Sequence, residues 1–376
     1  MNLSLYPTGL LYSCDQRLNV TKYDIHIIEE SHLIQQFNPV KMSVYKPPCG
    51  WTRSNEPEDH LDDIAEHLIS HSCGSRILCF SYKDASLAQR IARLQTDICV
   101  DILVDPDVGL IRSWPEEISA ESICDFLDGL STEYNLFIMR HYLEHYCLPK
   151  VLLASLASFL AKTKSLFYLE LPDCSKFFNQ GNPLFAWEQH RSYFTSYSIN
   201  ELLLQAQFHI LSLQLYGQSI EPSICIVAKS ALESKVSSPS SAIDYSLTSQ
   251  RSNLLNLLNH SFNGYISSWT RYLSTKSSPR FLYGIGHNSD RFIQLTNSCN
   301  QFDRFVDTSP EKQGFYLASS ACPISSTIDC DSSEPCEIIL GVHHRSAYKV
   351  AQNLKSQFVN STLFTIFEST PMPLEM

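Results

Sequence analysis

The sequence predicts an α/β protein: a Rossmann-like, mostly parallel sheet followed by a second, smaller Rossmann-like α/β domain. Three observations predict it. Short apolar runs, among them Ile77-Leu78-Cys79-Phe80 and Leu136-Phe137-Ile138-Met139, alternate with stretches of helical periodicity, as strands buried on both faces of a parallel sheet do. The order strand, turn, helix, strand, acid occurs in the first half and again after Arg280. Dense polar clusters follow two of the apolar runs, where open α/β sheets put their chemistry.

Taken in order, residues 1–55 form a small N-terminal segment, with alternation in Tyr23-Asp24-Ile25-His26-Ile27-Ile28 and a turn at Pro47-Pro48-Cys49-Gly50. Residues 56–230 form the core. Leu61, Ile64, Ala65, Leu68 and Ile69 recur at helical spacing behind an acidic first turn. The apolar run at 77–80 leads into a polar turn, Ser81 to Ser86, and a helix through Leu94; a strand at 98–104 closes on Asp105. That is a βαβ unit. Further strands are expected at 136–139 and 166–171, helices at 150–160 and 199–207, and an antiparallel hairpin from strands at 210–216 and 224–228. Serine-rich residues 231–251 read as a linker. Residues 252–376 open with a helix and continue with Arg280-Phe281-Leu282-Tyr283, the turn Gly284-Ile285-Gly286, and strands ending at Asp307 and at His343-His344.

The chain has 376 residues and a formal net charge of −11 with the histidines neutral. No basic run offsets that charge, so nucleic acid is not an expected partner. Its 13 cysteines include no Cys-x-x-Cys pair, which reads as reduced thiols of a cytoplasmic protein. Met1-Asn2-Leu3-Ser4-Leu5-Tyr6-Pro7 lacks the features of a signal peptide. No apolar stretch approaches the ~20 residues that span a bilayer, so no membrane partner is expected. His343-His344 beside Cys322, Cys330 and Cys336 does not have zinc spacing, and no metal is expected.

Two clusters concentrate chemistry: Arg140-His141-Tyr142-Leu143-Glu144-His145 and Trp187-Glu188-Gln189-His190-Arg191-Ser192-Tyr193-Phe194-Thr195. Each follows an apolar run, so both are expected to line one cleft. Asp105, at the end of a second strand, stands where an acid binds the hydroxyls of a cofactor ribose. Gly284 and Gly286 let a backbone approach a phosphate or simply make a tight strand-to-helix turn.

The order of these clusters, then Tyr283-Gly284-Ile285-Gly286, then Val306-Asp307-Thr308-Ser309-Pro310-Glu311-Lys312-Gln313-Gly314, resembles the sugar C-methyltransferases across residues 55–345. The resemblance implies a class I methyltransferase core, a C-terminal Rossmann-like domain, S-adenosylmethionine as cofactor and a nucleotide-linked deoxy-ketosugar as acceptor. Family members begin with a four-cysteine zinc module, where this chain has only Cys14 and Cys49. Their cofactor turn is close to Glu-x-Gly-x-Asn-Asp-Gly-[Ser/Thr]; at the matching positions stand Cys79, Ser81, Lys83, Asp84, Ala85 and Ser86. Both glycines are replaced, and side chains there crowd a cofactor if the backbone is unchanged. Gln189 stands where the family carries a glutamate, one residue after Glu188.

Methylating a carbon beside a ketone requires a base near neutrality, which suits histidine. His190 is the expected base, with His145 and Tyr193 to orient or donate. The cofactor is expected at Ser81, Lys83, Asp84, Ser86, Asp105 and Arg140. The acceptor is expected at Trp187, Glu188, Gln189, Arg191, Phe194, Gly284, Gly286 and His287. Two other readings stay open: a relative that binds a sugar nucleotide or a protein partner, or a second copy of itself, without methyl transfer, and a methyltransferase for an oxygen or nitrogen acceptor.

Overall fold

The structure, a computed structural model, describes residues 2–30, 33–37, 49–51, 58–71, 74–113, 118–130, 133–187, 189–217, 222–232, 254–326, 328, 333–342 and 344–375. The Pro47-Pro48 turn, Glu188, most of the serine-rich linker, Cys330 and His343 lie outside them.

The N-terminal segment supplies β1 (Asn2–Leu5), β2 (Leu10–Leu11), α1 (Cys14–Arg17), β3 (Tyr23–Glu30), β4 (Leu33–Phe37) and β5 (Gly50–Trp51). Along β3, Ile25 and Ile27 are buried while their neighbours are not, the period of two of a half-buried strand. The core follows as α2 (His60–Ser70), β6 (Arg76–Cys79), α3 (Ala85–Leu94), β7 (Cys99–Ile102), α4 (Ala120–Gly129), β8 (Leu136–Arg140), α5 (Pro149–Thr163) and β9 (Leu166–Pro172). It continues through α6 (Ser175–Gln180), β10 (Ser192–Tyr193), α7 (Ser196–Gln205), β11 (Phe208–Tyr216) and β12 (Ser223–Ser230).

The core sheet has six strands in the order β7-β6-β8-β9-β12-β11. The first four run parallel; β12 is antiparallel to both β9 and β11. The winding reverses between β6 and β8, which makes the ends of these strands the topological switch point. Phe137 and Met139 pack into the cluster with α4, α5 and α7, and Leu136 and Ile138 pack against α2 and α3. Both faces of β8 are therefore covered, which explains its unbroken apolar run. Helix ends follow local rules: Ser119 caps α4 through Ser122 N–H, Thr195 and Ser198 form a capping box for α7, and α5 ends on Lys164 in the left-handed region.

The C-terminal part comprises α8 (Leu254–Ser274), β13 (Arg280–Tyr283), α9 (His287–Leu295), β14 (Arg304–Val306), β15 (Ile324–Ser325), β16 (Cys336–Leu340), α10 (His344–Gln357) and β17 (Ser361–Thr365). Its five strands, ordered β15-β14-β13-β16-β17, are all parallel. The protein is thus an α/β chain with two Rossmann-like sheets.

The N-terminal segment does not stand apart. β4 pairs antiparallel with β10, joining Gln35 to Ser192 and Ile34 to Tyr193, in a four-stranded sheet ordered β1-β3-β4-β10. Ile25, Ile27 and Ile34 share one apolar cluster with Phe185, Tyr193, Phe262, Trp269 and Phe292. That cluster joins the N-terminal strands, the loop before β10 and the C-terminal part.

Candidate functional site

The two polar clusters meet. The first leaves β8 through His141, whose φ of +53° is rare for a residue with a side chain, and enters a short 3-10 turn over Leu143–His145. The second approaches it through its backbone: Arg191 N–H donates to the Glu144 carbonyl at 2.6 Å, and His145 Nδ1 lies 3.0 Å from the Gln189 carbonyl. Only a protonated Nδ1 can bond a carbonyl, so the lone pair of His145 is on Nε2. The ring centroids of His145 and His190 are 5.0 Å apart, edge to face. Trp187 sits 4.6 Å from His190 and stacks at 4.6 Å and 15° on His287 at the start of α9.

Burial pushes His145 down to about 3, reinforced by the nearby Lys83 charge. Burial also holds His190 well below its ordinary value, with His145 and His287 adding to the effect. Both are neutral imidazoles near neutral pH, the form that accepts a proton or ligates a metal. Around them, Trp187 Nε1 and Gln189 Nε2 are buried donors with no acceptor among the described residues. Such donors suit an oxygen-bearing ligand.

The glycine-free turn is built by its own side chains. Ser81 and Asp84 form a capping box: the Asp84 carboxylate accepts Ser81 N–H at 2.8 Å, and Ser81 Oγ accepts Lys83 N–H. The second Asp84 oxygen accepts Arg140 N–H at 2.8 Å. No residue from 81 to 86 has a positive φ, so the turn needs no glycine. Ser81 and Asp84 are fully buried; of the two residues that replace glycines, Ser81 is thus turned into the protein, while Ala85, at the start of α3, is half-buried.

Several expected cofactor residues are therefore corrected. Arg140, 4% exposed, is a pin. Its Nε meets Glu170 at 2.5 Å, and its Nη1 donates to the Lys83 carbonyl, Ser86 Oγ and Glu58 at 3.0, 3.1 and 3.2 Å. Ser86 is engaged with Arg140 and Glu58. Asp105 Oδ1 accepts Asp107 and Val108 N–H at 2.8 and 2.9 Å, and no partner holds Oδ2 among the described residues. Lys83 is exposed, its ammonium 5.1 Å from the Tyr142 ring. Ser81, Asp84, Ser86 and Arg140 thus support the turn, which leaves the side chains of Asp105 and Lys83 as the remaining expected cofactor contacts.

On the acceptor side, Tyr193 is also corrected. Its hydroxyl donates to the Trp187 carbonyl at 2.9 Å and accepts from Gln36 Nε2 at 3.1 Å, so it holds the loop rather than donating to a ligand. Phe194 packs in the core cluster beneath the sheet and does not shape a pocket. Arg191 is buried with Gln36 Oε1 at 3.4 Å. Glu188 lies outside the described residues. Gly284 has φ +84°, and a Cβ there would meet Val342 Cγ1 at 2.2 Å, whereas a Cβ on Gly286 meets nothing. Asp307 Oδ2 accepts Ile285 N–H at 2.8 Å, and Lys312 Nζ donates to the Ile285 carbonyl and to Asp307 at 2.9 Å each. The Asp307-to-Gly314 motif therefore builds the Gly284–Gly286 turn.

Two residues escaped the sequence reading. Glu170, completely buried, receives His60 Nε2, His141 Nε2, Arg140 Nε and the Tyr168 hydroxyl at 2.9, 3.2, 2.5 and 3.1 Å. Burial alone would raise its pKa; the hydrogen bonds from His141 and His60 and the Arg140 charge hold it well below the carboxylate range. A lone charge inside an apolar run was its signal. Gln36 donates to the carbonyls of His190 and Trp187 at 2.7 and 3.1 Å, and nothing local marks it.

No protein-family profile matches the chain, and no curated protein matches it. Solved structures do. The N-terminal domain of EvdMO1 with SAH bound is similar at 14% identity and a TM-score of 0.30, over 47% of this chain and 86% of that one. The 1,6-didemethyltoxoflavin-N1-methyltransferase of Burkholderia thailandensis is similar at 13% and 0.33, over 46% and 79%. The [4+2]-cyclase SpnF is similar at 13% and 0.31, over 50% and 90%. These likenesses concern about half of this chain, and proteins with different reactions are among them.

Proposed function

We propose that this protein is an S-adenosylmethionine-dependent methyltransferase that methylates a carbon beside the ketone of a nucleotide-linked deoxy-ketosugar. The observation that carries this reading is the neutral His145–His190 pair, His145 in the turn after β8 and His190 in the loop before β10, beside Trp187, which stacks on His287 of the C-terminal part. S-adenosylmethionine supplies an electrophilic methyl group, and Asp105 and Lys83 are the residues to hold it. His190 takes the proton from the carbon beside the ketone, and the bonding pair moves toward the carbonyl oxygen. Trp187 Nε1 and Gln189 Nε2 are the donors available to that oxygen. His145, tied to the Gln189 carbonyl, orients the second loop against the first.

A second reading is favoured by the turn itself. Asp84, Ser86 and Arg140, which would line a cofactor in the glycine-bearing version, are spent on one another. A protein built this way binds a sugar nucleotide or a protein partner without methyl transfer. Calorimetric titration with S-adenosylmethionine and S-adenosylhomocysteine separates the two. The first reading expects heat with both ligands, and no heat at millimolar ligand removes it, together with an oxygen or nitrogen acceptor. Under the first reading His190→Ala abolishes turnover with cofactor affinity nearly unchanged; parallel loss of both makes His190 structural.

A further inference from the structure

One oxygen of Glu144 and one ring nitrogen each of His145 and His190 lie within 4.8 Å of one another. In a tetrahedral site with bonds of about 2.0–2.1 Å, neighbouring ligand atoms stand about 3.3 Å apart, so side-chain rotation of little more than an ångström closes the set. We propose that Glu144, His145 and His190 form a binding site for a first-row divalent cation, with one position left for water or a ligand oxygen.

The chemistry of the set agrees with its geometry. Two imidazoles and one carboxylate suit zinc, cobalt or iron rather than the all-oxygen cations. His145 gives its Nδ1 proton to the Gln189 carbonyl, the outer contact that fixes the orientation of a ligating histidine. The three residues are tied together before any ion arrives, since Arg191 N–H bonds the Glu144 carbonyl at 2.6 Å.

A second group of potential ligands, His60, Glu170 and Cys225, is equally close, yet it carries no such site. Both Glu170 oxygens are already taken, Oε1 by His60 and His141 and Oε2 by Arg140 and Tyr168. A cation there would have to break an ion pair buried among these groups.

A metal on His190 uses the same lone pair that would take a proton from the acceptor. Metal occupancy and a base role for His190 therefore exclude each other at any instant. The site is tested without cofactor or acceptor, so its failure is distinct from failure of the methyl-transfer reading.

The test is titration of chelator-treated full-length protein, under reducing conditions, with Co2+. One equivalent is expected to bind with a visible d–d band, lost in Glu144→Gln and in His190→Ala and retained in Cys225→Ser. X-ray absorption of the wild-type protein loaded with one Zn2+ is expected to give nitrogen and oxygen neighbours with imidazole scattering and no sulfur. This second measurement needs no variant, so misfolding of Glu144→Gln cannot obscure the outcome. A band that survives both substitutions, sulfur in the zinc shell, or no stoichiometric metal overturns the proposal.

Discussion

Asp84 holds the glycine-free turn between β6 and α3. It is fully buried, and its two oxygens each accept one backbone N–H, from Ser81 and from Arg140. Asparagine has one acceptor oxygen and would set an amide against the other N–H. Asp84→Asn is therefore expected to cost about 1–3 kcal/mol in chemical denaturation, although it removes a buried charge. The titration of these residues gives opposite pH trends. Burial raises Asp84 from 3.8 to about 7, against the pull of Ser81 and Arg140. The unfolded chain gives up this proton first, so the Asp84 contribution to stability is lost as pH rises from about 4 to about 7. His145 is lowered from 6.5 to about 3. The unfolded chain takes up that proton first, so stability is lost as pH falls below about 6.5 toward about 3. His145→Gln is expected to flatten the acid-side decline of the urea midpoint, and Asp84→Asn the decline toward neutrality.

At the scale of elements, the strand-to-helix turn after β13 separates two glycines that look alike in sequence. Gly284 is left-handed and abuts Val342, while Gly286 is extended at φ −134° with open space around it. Gly284→Ala is expected to lower stability by at least about 1–2 kcal/mol from the backbone alone. Gly286→Ala should change it by less than about 0.5 kcal/mol; thermal denaturation of both variants checks the contrast. The regular elements of the core were legible because burial on both faces leaves continuous apolar runs, as in β6, β8 and β9, and because α2 repeats Leu61, Ile64, Ala65 and Leu68 at helical spacing. α4 escaped the reading, although Ala120, Ile123, Cys124 and Leu127 stand at helical spacing behind the Ser119 cap. Among the site residues, the meeting of the His145 and His190 clusters followed from their places at strand ends. The inward turn of Phe194 and the capture of Arg140 by Glu170 did not, because each depends on partners far away in sequence, Glu170 standing opposite Arg140 on the neighbouring strand β9.

At the scale of the whole molecule, the N-terminal strands, the loop carrying His190 and the C-terminal part share one apolar cluster. Gln36 is a polar tie between the first two, its side-chain amide bridging the carbonyls of Trp187 and His190 and the Tyr193 hydroxyl. Gln36→Ala leaves those carbonyls without this donor and is expected to cost about 1–3 kcal/mol. Amide exchange across residues 189–193 should accelerate while that of β6 and β8 stays unchanged; uniform acceleration would mean that Gln36 supports the fold as a whole. The β4–β10 pairing has a further consequence in time. Gln36 and Trp187 are 151 positions apart, and at roughly 5–20 residues per second a ribosome needs about 8–30 s to make the stretch between them. During that interval β4 has an unpaired edge, open to wrong partners. The loop bearing His190 therefore gains its pairing with β4 only after that interval has passed.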